Sequence, residues 1–160
     1  MQLITTIMSK MSKREIRKFL MQGTLTGKLA TVKEDKTPHI VPIWFVLDEN
    51  INKNKSREFD IIFTTGGTSV KAKNIQRDSR VSICVDDQTP PFSFVTVYGI
   101  ARIYRSQRND IFKWATKIAR RYMGKDSAKD YGIRNSGEGE VLVRVRPTQL
   151  IAEKDIAGWD

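Results

Sequence analysis

The feature that most constrains this chain is an alternation of apolar residues, at a period of two, that recurs in three separated segments. Val81, Ile83 and Val85 share one parity; so do Val95, Val97, Gly99, Ala101 and Ile103, and again Val141, Val143 and Val145. That period puts every second side chain on one face of a strand. Such strands cannot bury their apolar faces singly, so they must share a sheet that folds over a common core. Further strands are predicted around them. Leu29–Lys33 leads through a turn at Glu34-Asp35-Lys36 into a long strand, Thr37–Asp48, and Glu58–Thr65 is centred on Ile61, Ile62 and Phe63. Thr37–Asp48 is apolar at both parities, which predicts cover on both faces. Pro42 has no N–H for a ladder and marks an edge or a bulge. Leu150–Glu153 reads as a short final strand after Pro147.

Helices are few. Ser12-Lys13-Arg14-Glu15 is a capping box, followed by Ile16, Phe19 and Leu20 at helical spacing and a stop at Gly23. Lys10, Lys13, Arg14, Arg17 and Lys18 give that helix a solvated cationic face. Thr68–Arg77 is a short helix ended by Asp78-Ser79. The longest helix is predicted from an N-cap at Ser106, through Ile111, Trp114, Ala115, Ile118 and Tyr122, to Gly124. Asp48–Arg57 and Lys125–Gly139 read as polar loops. The strands follow one another through turns or short helices rather than in βαβ units. The expected fold is therefore mainly β, a six-stranded antiparallel barrel with flanking helices.

At 160 residues the chain is expected to be a single domain spanning 1–160. It contains no run of 18 apolar residues, and Met1–Met8 carries no basic segment ahead of an apolar one. One cysteine, Cys84, allows no internal disulfide and no cysteine-based zinc site. A cytoplasmic location, no metal and no membrane are the expectations. The formal net charge of +10 calls for an acidic partner, such as nucleic acid, an anionic surface or a phosphorylated small molecule.

The stretch Phe63-Thr64-Thr65-Gly66-Gly67-Thr68-Ser69-Val70-Lys71-Ala72-Lys73-Asn74 ends a strand, turns on two glycines and begins a helix. Amides, hydroxyls and two lysines converge there, the arrangement an anionic phosphate needs. Neither Gly-x-x-x-x-Gly-Lys nor Gly-x-Gly-x-x-Gly is present, and a plain turn with Ser69 as a cap explains the same residues.

Several segments together carry a resemblance: Leu29-Ala30-Thr31-Val32, Pro38 through Phe45, Phe63-Thr64-Thr65, Ser69-x-Lys71-x-Lys73-Asn74-Ile75, Arg77-Asp78-x-Arg80-Val81 and Tyr98-Gly99-x-Ala101. In this order they resemble the pyridoxamine 5′-phosphate oxidase-like family from about Ser12 to Glu153. The resemblance is nearer to its branch of small oxidoreductases that use a flavin or the deazaflavin coenzyme F-420. It implies a split barrel that is homodimeric, with two cofactors in grooves at the subunit interface. The family's phosphate-binding segment falls on Ser69 and Lys71, with Lys73 and Asn74 beside them. Val41, Pro42, Ile43 and Trp44 match the strand that lines the tricyclic ring, and Thr64 and Thr65 match the strand end that approaches the cofactor. The oxidase branch has basic residues where this chain has His39 to Trp44, and its Ser-Arg-Lys reads Ser69-Val70-Lys71 here. These departures point away from pyridoxamine phosphate as substrate and toward F-420, with FMN as the alternative. The implied reaction is hydride transfer between the ring and a small organic substrate, with no essential acid–base pair in the protein.

The other reactive residues read as structural. His39 is the only histidine, and Cys84 alternates with strand valines as a packed thiol. Trp44 is either core or a flank of the ring. Trp114 lies on a helical stripe as core or as a dimer contact, Trp159 is a candidate for docking on a partner, and Phe92 for lining the pocket. Asp86-Asp87 and Glu138/Glu140 are turn and surface residues. Two other functions compete: a non-catalytic flavin- or haem-binding protein on the same fold, and a nucleic-acid-binding barrel. The second has little support, because no strand face interleaves basic and aromatic residues.

Overall fold

The computed structural model describes residues 9–50 and 58–158, so Met1–Met8, Trp159 and most of the polar loop before Glu58 (51–57) lie outside the described residues. In order, the elements are β1 (Ser9–Lys10), α1 (Lys13–Leu20), β2 (Gly27–Val32), β3 (Pro38–Ile43), β4 (Val46–Asp48), β5 (Asp60–Gly66), α2 (Val70–Arg77), β6 (Arg80–Asp87), β7 (Ser93–Tyr104), α3 (Arg108–Met123), α4 (Ala128–Arg134) and β8 (Glu140–Lys154). Every strand pairing is antiparallel. The order is β3-β2-β6-β7-β8-β5-β4, and β1 adds to the far end of β8.

The two ends of that path, β3 and β4, are consecutive in the chain with only Trp44 and Phe45 between them. Two residues reach no more than about 10 Å, so the sheet must curl until its edges meet. The result is a barrel split at one seam. Seven strands lie on this path where six were expected, and Thr37–Asp48 is two of them because it breaks at the seam. The expected last two strands are instead one, Glu140–Lys154, which continues through Pro147 by a bulge. Tyr98 pairs with Gln149 but Gly99 with Pro147, leaving Thr148 over. The Thr148 hydroxyl donates to the Tyr98 carbonyl at 3.1 Å. A Cβ on Gly99 would stand 2.6 Å from the Arg146 carbonyl oxygen, which explains a glycine at the bulge.

The inward parity of each strand forms the core: Leu29, Ile61, Phe63, Ile83, Val85, Val95, Val97, Val143 and Val145 have no exposed surface. α1 leads into the start of β2 and inserts Ile16, Phe19 and Leu20 into this core. Its capping box forms as read, with Ser12 N–H donating to Glu15 at 2.7 Å and Glu15 N–H to the Ser12 hydroxyl at 3.2 Å. α2 inserts Ile75 near the other end of β2. The two short helices therefore close opposite ends of the barrel.

α3 lies outside, its Ile111, Trp114 and Ile118 packing on Val46, Ile62 and Leu142. Beneath it Arg144 of β8 donates to Asp48 of β4 at 2.7 Å and to Asp60 of β5 at 3.1 Å, joining three strands. Ser106 does not cap α3. The residue before the helix is Gln107, which makes no side-chain cap bond, and Ser106 supplies only its carbonyl to Arg108 N–H. The expected loop Lys125–Gly139 contains α4, whose few apolar residues hid it. Its Gly132 lies so close to α3 that a Cβ would stand 2.1 Å from the Thr116 hydroxyl. Cover on both faces of β3 is not found within one chain: Ile40 is 68% exposed and Pro42 is exposed. Among the described residues no helix is long and apolar enough to cross a membrane.

Candidate functional site

The glycine turn places one cluster at the α2 end of the barrel. β5 ends at Gly66, and Gly67 N–H donates to the Gly139 carbonyl at 2.8 Å, which fixes the turn against the start of β8. Ser69 then caps α2: its hydroxyl accepts from Ala72 N–H at 3.2 Å and lies 3.1 Å from the Thr65 hydroxyl. Among the described residues the amides of Val70 and Lys71 have no protein acceptor, as expected for the first positions of a helix. These amides, at the positive end of the helix, suit an anion.

Lys71 is half-buried beside them. Burial pushes its ammonium below its ordinary value, and Glu140 opposes that shift. The Glu140 carboxyl is pushed up by burial and pulled back by Lys71 and Arg108. Two arginines complete the cluster. The Arg105 guanidinium overlies Gly67, where a Cβ would stand 2.7 Å from it, and donates to Gln76 at 3.3 Å. Arg108 donates to the carbonyls of Gly137 and Glu140, both at 3.0 Å, and to that of Arg105 at 2.7 Å. Cations, free amides and an open glycine turn fit the phosphate of a flavin or deazaflavin cofactor.

The residues singled out in the sequence divide as follows. Thr65, Ser69 and Lys71 are brought together. Thr64 is next to Thr65 but faces the α3 side of the sheet, with Ile62 and Leu142. Lys73 is exposed. The Asn74 side chain is buried and donates to the Thr31 hydroxyl of β2 at 3.0 Å, while Arg77 donates to its oxygen at 3.4 Å. It therefore holds α2 on the barrel.

Val41, Pro42 and Ile43 lie on β3, opposite Leu29, Lys28 and Gly27. Ile43 faces the core, Pro42 is exposed and Val41 is half-buried. Trp44 stands at the seam, where its ring stacks on Tyr122 with centroids 5.2 Å apart and planes 4° apart. Phe45, which has no ladder partner there, donates its N–H to the Tyr122 hydroxyl at 3.3 Å, and its carbonyl accepts from Arg121 at 2.8 Å. Arg121 also donates to the carbonyls of Leu20 and Gly23, at 2.8 and 3.0 Å. The last turn of α3 thus holds the end of β3 in place.

Sequence reading missed Arg105, Arg108, Arg121 and Tyr122 as parts of this arrangement. Arg108, Arg121 and Tyr122 bond backbone from 29 to 101 residues away, and Arg105 the Gln76 side chain 29 residues away, relations that no local pattern shows. A separate groove of about 600 Å3 runs along the outer face of the sheet, past Ala30, Lys36, Arg80, Ser82 and Tyr98.

The fold is shared with known proteins. Over its full length the chain superposes on a conserved hypothetical protein from Mycobacterium tuberculosis, covering 95% of it, with a TM-score of 0.77 and 23% identity. An F-420 reductase is matched over 84% of this chain and 94% of that one, with a TM-score of 0.64 and 25% identity. HutZ, the heme storage protein from Vibrio cholerae, is matched over 88% and 94%, with a TM-score of 0.63 and 18% identity. No curated protein matches the chain. The profile of the family described as pyridoxamine 5′-phosphate oxidase matches residues 12–152, from the capping box to the last strand, and the chain belongs to that family.

Proposed function

We propose that this protein binds FMN or coenzyme F-420 and is an oxidoreductase acting on a small organic substrate, as a homodimer with a cofactor at the subunit interface. The observation that carries the reading is the cluster at the α2 end of the barrel. A family member has there two free helix amides, the Ser69 cap, Lys71 and Arg105 around an open glycine turn. When bound, the cofactor supplies the hydride chemistry. The protein's part is to bind and orient it. Lys71 and Arg105 neutralise the phosphate, and Ser69 and Thr65 hold the turn. Val41, Pro42 and Ile43 offer a mostly apolar strand against the ring. Trp44, fixed by Tyr122, stands at the end of that strand, and Thr64, on the α3 side of β5, is a candidate through the resemblance alone.

The test is equilibrium binding of FMN and of F-420 to the purified protein and to Lys71→Ala. We expect binding of one of them at micromolar concentration or below, weakened about tenfold or more by the substitution, the order expected for losing a charge-assisted contact. Binding that is indifferent to Lys71 would overturn the phosphate assignment. Stoichiometric binding without reduction or oxidation of the cofactor by any tested organic acceptor would favour a carrier, the reading to which the likeness to a heme storage protein draws attention.

A further inference from the structure

Among the described residues the Glu140 carboxylate lies within the cation cluster at the α2 end. Glu140 opens β8 and pairs with Gly66, so its side chain leaves the sheet on the face where Gly66 has none. A Cβ built on Gly66 meets nothing within 4 Å, so the space beside Glu140 is open. The charged groups around it come from every neighbouring element. They are Lys71 from α2, Arg108 from the first turn of α3, which donates to the carbonyl of Glu140 itself, and Arg105 from the segment after β7, lying over the adjacent Gly67. By sequence alone this glutamate reads as a surface residue. In the structure it is half-buried beside the lysine that is to hold the cofactor phosphate.

A carboxylate in a phosphate site is costly to an anion in proportion to the anion's charge. A phosphomonoester carries close to two negative charges above its second ionisation near pH 6, and a phosphodiester carries one. Both can accept the same amides and the same lysine. They differ in their repulsion from Glu140, which partial burial screens poorly. We infer that Glu140 is a specificity residue that makes this site favour a singly charged phosphodiester, the linkage in F-420, over the doubly charged phosphomonoester of FMN. The inference rests on the cofactor reading above and narrows it.

The experiment compares three ligands at pH 8 and low salt: FMN, its phosphate methyl ester and F-420. FMN and its ester share the ring and differ by one charge. The wild-type protein should bind the ester about tenfold more tightly than FMN, a comparison that needs no variant. In Glu140→Gln that preference should collapse to about twofold, chiefly because FMN binding tightens. Equal affinity of the wild-type protein for FMN and its ester overturns the inference. So does a preference that persists unchanged in Glu140→Gln with its melting temperature intact. If F-420 binds through Lys71 while the variant still rejects FMN and its ester alike, the ring makes the choice; the inference falls and the cofactor reading stands. If none of the three binds, both fall.

Discussion

Within one turn of α2, neighbouring residues have unlike tasks. Lys71 faces the open side of the glycine turn, whereas Asn74 is turned into the barrel and gives its amide to Thr31. Asn74→Ala leaves the buried Thr31 hydroxyl without that donor, which costs about 1–3 kcal/mol and lowers the melting temperature by several degrees. Lys71→Ala should leave the melting temperature within a degree or two and act on cofactor affinity. A thermal scan and a binding curve on both variants separate the roles, and a binding defect in Asn74→Ala without a stability defect would contradict them. Ser69, Lys71, Lys73 and Asn74 lie within one short segment of the sequence. The sequence could not say which side each faces, because that is set by where β2 lies. Glu15 makes a second residue-scale prediction. Its carboxyl is pulled down to about 2, first by the hydrogen bond from Lys154 and then by the Ser12 amide. A carboxyl held lower in the folded state stabilises fully above its ordinary value near 4.5 and loses that contribution as pH falls toward 2. Urea midpoints between pH 2 and 6 should therefore fall less steeply in Glu15→Gln than in the native protein.

Strands declare themselves through alternation because one inward face is enough to fix their parity, and β6, β7 and the first half of β8 were legible for that reason. Joins were not. The break at Trp44–Phe45 lies within a run that is apolar at both parities, and only the hydrogen bonds from Tyr122 and Arg121 show why the backbone can leave the ladder there. The bulge at Thr148 was read as an end because Pro147 cannot donate, although the strand resumes one residue later. The link among Arg144, Asp48 and Asp60 was equally invisible, since its members lie on three strands far apart in the sequence. It gives a prediction at this scale. Arg144→Ala removes the cation shared by two mostly buried carboxylates on β4 and β5, and removing one partner of such a cluster costs about 3 kcal/mol. Chemical denaturation should show that loss. Substitution of Lys154, whose bridge to Glu15 lies at the surface, should change stability far less. A small effect for Arg144→Ala would mean that the carboxylates reach water and that the cluster does not hold the seam side of the barrel together.

The outer face of the sheet raises a question that only the whole molecule answers. By register, Ile40, Ala30, Ser82, Tyr98 and Gln149 stand in one row across five strands, and Pro42, Lys28, Cys84, Thr96 and Ile151 in the next. Ile40 is 68% exposed and Tyr98 and Ile151 each 39%, on a face that also carries the groove of about 600 Å3. A sheet face with apolar residues at both margins and few charges between them is the kind of surface that a second subunit covers. The sequence required cover on both sides of β3, and one chain provides it on the inner side alone. A second copy seated on this face would supply the outer side and place its own residues along β3, the strand proposed to line the cofactor. The expectation is a dimer in sedimentation velocity at micromolar concentration. Ile40→Glu and Tyr98→Glu, neither of which touches the core, should shift it toward monomer with an unchanged far-ultraviolet circular dichroism spectrum. Cofactor affinity should fall along with dimer content, because half of the cleft is lost with the partner. Restoring the dimer at higher protein concentration should restore binding. If the monomeric variants bind as tightly as the native protein, the cleft is complete within one chain and this face has another use.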